Sequence, residues 1–447
     1  MTEGTAMPER HLSADVIIIG AGLAGLTAAI SLQQQGKRVL VLECRESAGG
    51  LCGTTRIGKY EFTLACNDFG SGIERVMAQL GVSVTFRRRA TRFHCGRESY
   101  TLPPTGTTLI NMLRHSPDAG RLLRALRRPS TDDRYEYLGP LLEASVRSQP
   151  FADYLSIAAY AFGSAPDRYP LQQFRQTFSK ELDYGYDRTT IPLGGPQALI
   201  NAMTKRLAEL GGELVLGTRV HSRATSDGLK IAHTDRDTYR ARHLITSEGR
   251  LKDYPPETSP SLAAGMLRLA THSDVVFPEH IHTLGHFPDG AAHWLYQLET
   301  GKMPKAFGFH VVPCTSPGVR DHRTFNVYFL CPRGMSEPSA DIIHGIQDYI
   351  FERLSSMLPS LTDKVLLQHF VSPGQFAEAH GLSTELVAAV APPTFSKPEI
   401  YDEESDLYHV GNTVGPPGQH AGAAVRCGLQ AAEAVIMAAS RKTGDPA

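Results

Sequence analysis

No apolar run in the 447-residue sequence reaches the roughly 18 residues that a membrane-spanning helix needs. The opening stretch MTEGTAMPERHLSAD holds no apolar core, so no secretory leader is expected and the chain reads as cytoplasmic. Charge of one sign is missing as well. Lys+Arg is 45 against Asp+Glu 46, a net charge of -1, which argues against a nucleic-acid binder and leaves only local charged faces. The cysteines (Cys44, Cys52, Cys66, Cys95, Cys314, Cys331 and Cys427) are odd in number and scattered, with no CxxC or CxxxxC. None stands at zinc-finger spacing from a histidine. They read as reduced thiols filling the core, with neither a redox dithiol nor a metal site. There is no second GxGxxG, hence no expected NADPH domain, and no repeat or low-complexity segment. What remains is a globular composition, 41% hydrophobic, in a chain long enough for two or three domain-sized units.

The run Asp15-Val-Ile-Ile-Ile-Gly20 is short, apolar and β-branched, and predicts a buried parallel strand. Ala21 to Gln35 predicts a helix capped by Gly36, and Arg38 to Glu43 a second buried strand. Together they form one βαβ unit. Further along, a helix is predicted from about Pro196 to Leu210, a strand from Glu213 to Val220 and a β-ribbon over 228–247. Short strands are expected over 260–335, an amphipathic helix from Asp341 to Met357, a strand over Leu407 to Gly411, and an Ala-rich helix from about Gly422 to Ser440.

Gly20-x-Gly22-x-x-Gly25 sits between the first strand and its helix. Gly20 permits the tight turn, Gly22 a close backbone approach to a pyrophosphate, and Gly25 close packing of helix on strand. Glu43 follows Gly25 by 18 residues, at the end of the second strand, where a carboxylate can accept bonds from ribose hydroxyls and repel a 2′-phosphate. These features point to a dinucleotide site. Arg45 and the pair Gly49-Gly50 then add a second close backbone approach that a simple dehydrogenase does not need.

With that motif the chain resembles the FAD-dependent amine oxidase and phytoene desaturase superfamily. Gly20, Gly22, Gly25, Glu43, Arg45, Gly49 and Gly50 carry its first motif, and Ile191-Pro-x-Gly-Gly195 with the strand to Val220 looks like its second FAD segment. Near the end, Ser372-Pro373, Phe376, His380-Gly381-Leu382, Leu407 to Gly411, Pro417-Gly418 and Gly422 follow the phytoene desaturase pattern more closely than the amine oxidase one. The resemblance implies an α/β fold: a discontinuous, Rossmann-like (glutathione reductase-like) FAD domain over 14–85, 191–254 and 401–441. An α+β substrate domain over 86–190 and 255–400 is inserted in it, and 1–13 and 442–447 are flexible tails. It implies FAD held by Gly20, Gly22, Leu23, Ala24, Gly25, Glu43, Arg45, Gly49, Gly50, Leu51, Val220, Gly411, Asn412, Gln419, His420 and Ala421. Three departures mark the flavin pocket: Leu51 where the family has arginine, Thr63-Leu-Ala65 where it has Asp-x-Gly, and Gln419-His420 in the C-terminal loop.

A flavin of this kind accepts a hydride from a C–H bond. The expected function is an FAD-dependent dehydrogenase, desaturase or oxidase that forms a C=C or C=N bond in a small organic metabolite, in biosynthesis. The alternatives are a redox-neutral flavin isomerase, an amine oxidase, an aromatic hydroxylase, or a non-enzymatic binding protein such as the Rab GDP-dissociation inhibitors. His420 is the candidate catalytic residue, weighed against a histidine bonded within its own loop. Tyr184, Tyr186, Trp294, Tyr296, Phe307 and Phe309 are candidates for core or pocket wall.

Residues 86–134 hold eleven arginines against four acidic residues, a local charge of +7. A helix over 117–128 would align Arg121, Arg124 and Arg128 on one face and Leu122, Leu123 and Leu126 on another. The segment reads either as a solvated face or as a docking site for an anionic partner: a carrier protein, a phosphorylated substrate or a peripheral membrane surface.

Overall fold

The computed structural model describes residues 11–126, 135–314, 320–379 and 388–443. Two large sheets dominate it. In the first, Glu213–Val215, Val39–Leu42, His11–Ile19 and Thr238–Thr246 lie side by side and parallel, in that order. Thr238–Thr246 is long enough to serve two neighbours. Its first half pairs with the hairpin Leu229–Thr234 and Val220–Ser226, and its end pairs with Leu407–His409. The strand His11–Ile19 is apolar on consecutive residues because both faces are covered. Val16 and Ile18 pack among the helices Leu23–Gln34, Pro196–Glu209 and Ala421–Thr443, while Ile17 packs with Leu40, Leu42 and Leu244 on the other face.

The second sheet has seven strands in the order Val365–Val371, Ala264–His272, His322–Leu330, Phe309–Cys314, Ile281–Phe287, Ala90–Cys95 and Glu98–Leu102. All neighbours run antiparallel except Ile281–Phe287 and Ala90–Cys95. One face carries the larger core, with Leu267, Leu269, Phe325 and Phe329. Residues of opposite parity, Met266, Val312, Tyr328 and Val371, pack instead against Leu51 and Ala65. The inner face of this sheet therefore looks at the segment just after the glycine motifs.

Several boundaries differ from the sequence expectation. The predicted strand from Glu213 to Val220 is two strands at opposite edges of the first sheet, because Gly217 turns left-handed (φ 59°) between them. Residues 11–13, expected in a flexible tail, begin the first strand, with Leu12 in register with Tyr239. At the other end the last helix runs to Thr443, taking in the first two residues of the expected tail. Trp294 and Tyr296 lie on the helix Ala291–Glu299 rather than on a strand. Arg127, Arg128, Arg134, His380, Gly381 and Leu382 fall outside the described residues.

Candidate functional site

The glycine loop is built by steric necessity. Gly20 turns at φ 105°, and a Cβ there would run into the Ser247 side chain. A Cβ on Gly25 would run into the carbonyl oxygen of Gly20, so the helix Leu23–Gln34 can start this close to the strand only with glycine at that position. Gly22 is its N-cap, without any side-chain cap, so Leu23, Ala24 and Gly25 present backbone N–H groups at the positive end of the helix dipole.

Glu43 is buried at 6% exposure. Its Oε2 accepts the Ala21 N–H at 2.7 Å and its Oε1 the Arg45 N–H at 3.0 Å. Cys44 Sγ also donates to Oε1, at 3.4 Å, so Oε2 is the oxygen that keeps a free lone pair for a ribose hydroxyl. Arg45 donates through Nη2 to the Gly50 carbonyl at 2.9 Å, and Gly49 N–H donates to the Ala21 carbonyl at 2.9 Å. The second glycine pair is thus strapped against the first loop, with Gly22 and Gly49 bridged in parallel. Leu51 follows in a short 3-10 turn and takes the N–H groups of Ala65 and Cys66 on its carbonyl. Val220 opens the edge hairpin and packs on the Ile17 and Leu42 side of the sheet.

The C-terminal loop returns to the same region. Gly411 turns at φ 122° with open space where a Cβ would stand, and its N–H donates to Cys427 Sγ at 3.4 Å. Asn412 Oδ1 is enclosed without a hydrogen-bond partner. Ala421 begins the helix Ala421–Thr443. Gln419 is used differently: its amide accepts from Ala389 N–H at 3.0 Å and donates to Ala389 carbonyl at 2.8 Å, a tie between loop and strand. His420 sits edge-on between Tyr184 and Tyr186, at ring distances of 4.5 and 4.6 Å. Its Nδ1 accepts the Ala423 N–H at 3.2 Å, which assigns the proton to Nε2. Burial, then the charge of Lys397, pull its pKa down to about 3, so it is neutral at ordinary pH, and its Nε2 has no partner.

Lys397 escaped the sequence reading, since no motif marks it. Its ammonium donates to the carbonyls of Asn412 at 2.7 Å and Gly418 at 2.5 Å, with Pro416 at 3.4 Å, and so holds the whole loop from beneath. Burial pulls its pKa down to about 8.

Asp68 was also missed. Its surface is exposed, and its carboxyl lies near His282 and Tyr186. Burial raises its pKa, partly offset by the neighbouring His282. His282 is itself buried, gives its Nε2 to the Asn67 carbonyl at 2.7 Å, and is held toward the neutral form by burial. Tyr186 meets the same region, close to Asp68, Cys66 and the Gly422 N–H. Cys52 and Cys66, 14 residues apart in sequence, are brought together here. The thiol–thiol contact and burial push Cys66 well above its ordinary pKa, so Cys66 is a neutral thiol of low reactivity.

The inner face of the second sheet is polar in this region. Tyr328 OH takes Asn326 Nδ2 at 3.0 Å and Asn67 Nδ2 at 2.5 Å, and His310 stacks on the Tyr328 ring at 5.2 Å. Among the aromatic candidates, Tyr184 and Tyr186 reach the loop, Trp294, Phe307 and Phe309 are core, and Tyr296 is exposed.

The arginine-rich stretch is less uniform than its sequence suggests. Arg121 donates to the Ser145 carbonyl at 3.0 Å and pairs with buried Asp118, so it is a structural tie. Of the expected leucine stripe, Leu122 is buried but Leu123 is exposed. Leu123 joins Leu109, Ile110 and Leu113 on the helices Gly106–Arg114 and Ser116–Leu126, all more than half exposed, beside exposed Arg114 and Arg124.

Residues 18–80 match the family model of a NAD(P)-binding Rossmann-like domain. Among characterised proteins the likenesses are local. The inactive all-trans-retinol 13,14-reductase of Danio rerio is 56% identical over 48 residues, 11% of this chain and 8% of that protein. The lysine-specific histone demethylase 1 homolog 2 of Oryza sativa is 55% identical over 51 residues, 11% and 7%. The chain thus spans less than a tenth of the length of these relatives. Solved structures match over nearly the full length. An oxidoreductase from Methanosarcina mazei superposes with a TM-score of 0.68 at 17% identity, over 94% of this chain and 100% of that one. Putrescine oxidase bound to putrescine gives 0.64 at 17% identity, over 96% and 100%.

Proposed function

We propose that this chain, which has the fold of the FAD-dependent amine oxidase superfamily, is an FAD-dependent oxidoreductase that oxidises a C–H bond of a small organic metabolite to form C=C or C=N. We read 14–85, 191–254 and 401–441 as its cofactor half, and 86–190 with 255–400 as its substrate half. The single observation behind the cofactor is the cradle itself: Gly20, Gly25, Gly49 and Gly50 let the two glycine loops pack closely with bare backbone, Gly22 has nothing nearer than 3.9 Å where a Cβ would stand, and the buried Glu43 keeps acceptor capacity on Oε2. When bound, FAD supplies the hydride acceptor. The residues that would hold it are Glu43 at the ribose, the first turn of Leu23–Gln34 at the pyrophosphate, and Gly411, Asn412 and Ala421 at the flavin.

The remaining chemistry falls to Asp68, whose pKa is raised by burial and which can exchange a proton with the substrate. His420 is too weak a base for that task. In this reading its neutral Nε2–H acts as a hydrogen-bond donor facing the flavin loop. The phytoene desaturase-like ending favours a biosynthetic desaturase over an amine oxidase. The exposed Leu109, Ile110, Leu113 and Leu123 beside Arg114 and Arg124 support contact with an anionic bilayer surface. Among the described residues no helix is long and apolar enough to cross a membrane.

Purification decides the cofactor: a yellow protein with stoichiometric FAD is expected, and a colourless one would favour a binding role. An anaerobic screen of candidate substrates decides the reaction. Flavin bleaching marks a dehydrogenase or oxidase, whereas product without net bleaching marks an isomerase.

A further inference from the structure

Arg268 lies in the middle of Ala264–His272 with 4% of its surface exposed. It points to the inner face, with Asn326 directly across the ladder on one side and His369 on the other. Its guanidinium stands 5.8 Å from the Phe62 ring. Nε and Nη2 are enclosed and have no hydrogen-bond partner. Among the described residues no carboxylate acts on it: the ionisable groups that do are Tyr328 and Cys314, both held neutral by burial, and His369, itself pushed toward the neutral form by burial and by Arg268.

That arrangement is costly as it stands. A guanidinium stays charged in any protein, and a buried charge without counter-charge or filled donors is among the most destabilising features a fold can carry. Hydrophobic residues could fill the position more cheaply, as Met266 and Val312 do beside it. Asn326 cannot relieve it. Its Oδ1 is likewise without a partner and can take one of the five guanidinium N–H groups, but it brings no negative charge. Its Nδ2 is committed to the Thr63 carbonyl at 2.7 Å and to Tyr328 OH.

The place of Arg268 gives the missing group its role. Thr63, held by Asn326, begins the Thr63-Leu-Ala65 segment that packs under Leu51, next to Gly49 and Gly50. An anion on Arg268 would therefore sit on the polar inner face of this sheet, the face that packs on Leu51 and Ala65, with Met266, Val371 and Phe376 offering an apolar bed alongside.

We propose that Arg268 is the anchor for the carboxylate of the substrate, so that the metabolite is an organic acid with an apolar body. Asn326 orients the guanidinium through Oδ1, and the fork's remaining N–H pair takes the carboxylate in bidentate fashion. The proposal rests on the oxidoreductase reading and narrows its substrate class.

The test uses purified holoprotein whose FAD content is first fixed by its absorbance; loss of the flavin would strike the oxidoreductase reading and is scored separately. Octanoate and octanamide, equal in shape, are titrated against it, following the flavin spectrum and equilibrium dialysis. The expected result is binding of the acid about 10- to 100-fold tighter than of the amide. In Arg268→Met the preference disappears, in Arg268→Lys it is weakened but kept, and octanoate raises the melting temperature of wild type and not of Arg268→Met. Equal binding of acid and amide to the wild type overturns the proposal, and this comparison needs no variant to fold. A preference that survives in Arg268→Met overturns it as well.

Discussion

The carboxylate of Glu43 holds the backbone N–H of Ala21 at 2.7 Å, so the end of one strand fixes the turn that follows its parallel neighbour. The same carboxylate holds Arg45 N–H, and Arg45 in turn holds Gly50. One acidic side chain thereby sets the positions of both glycine motifs. The role proposed for it at the ribose comes on top of this role in the apo fold, and the two are separable by mutation.

Glu43→Ala should remove both. Losing one charge-assisted hydrogen bond costs roughly 1.5–3 kcal/mol, or about 10- to 100-fold in FAD affinity. Glu43→Gln keeps an acceptor for Ala21 and should lose affinity with a smaller drop in melting temperature. Equilibrium dialysis of FAD against both variants, with thermal denaturation of the apo forms, makes the comparison. An FAD dissociation constant unchanged in both would remove Glu43 from the site.

Gly25→Ala tests the steric argument. The added methyl meets backbone, the Gly20 carbonyl, which cannot rotate away. The helix must shift, so apo stability should fall by about 1–3 kcal/mol and FAD retention should fall with it. Denaturant midpoints and flavin content measured on one preparation check this.

The helices bearing Leu109, Ile110, Leu113 and Leu123 should bind phosphatidylserine-rich vesicles. Burying one such side chain is worth about 1.5–3 kcal/mol, so Leu113→Asp should weaken cosedimentation by about tenfold or more. Arg124→Glu should reduce the salt dependence. Arg121 is a poor probe, because its bonds to Ser145 and Asp118 are internal. Wild-type protein that stays in the supernatant at low salt would leave these leucines to another role.

Buried histidines predict the acid limb of stability. His286 and His310 are pulled down to about 4 and His420 to about 3, in each case first by burial. A folded-state pKa below the ordinary 6.5 means that the unfolded chain binds more protons between the two values. Stability is therefore complete above pH 6.5 and falls as the pH drops toward 4, by about 1.4 kcal/mol per pH unit for each histidine. His420→Phe, which keeps the contacts with Tyr184 and Tyr186, should take up one proton fewer. Denaturation series at pH 7, 6 and 5 for both proteins give the difference directly. Identical slopes would mean that His420 titrates normally.

The first sheet and its glycine loops were legible because their signals are local and steric. A run such as Val16-Ile17-Ile18, a turn at Gly20 and an acid at Glu43 each mean one thing at one spacing. Asp68, Lys397 and Arg268 were not legible, and for a common reason. Each matters through partners brought from 21 to more than 200 residues away: Gly418 for Lys397, His282 for Asp68, Asn326 for Arg268. The split of 213–220 was missed because Gly217 reads equally well as a break or as a weak point in a strand. Cys52 and Cys66 show the converse: no dithiol spacing exists in the sequence, yet the fold brings the two thiols into contact.

Lys397 yields the sharpest separation between holding the fold and holding the cofactor. Its ammonium fills the carbonyls of Asn412, Pro416 and Gly418, and neither Met nor Gln at that position can reach all three. Lys397→Met relieves the cost of a buried charge, which burial already expresses by lowering the pKa to about 8, so global stability should change by no more than about 1–2 kcal/mol. The loop, however, loses the donor that gathers the carbonyls of Asn412, Pro416 and Gly418, and these must turn toward water. FAD affinity should therefore fall by about tenfold or more while the melting temperature of the apo protein barely moves. Limited proteolysis should cut first between Gly411 and Gly418 in the variant. A variant that melts far lower and binds FAD normally would make Lys397 a residue of the core and not of the site.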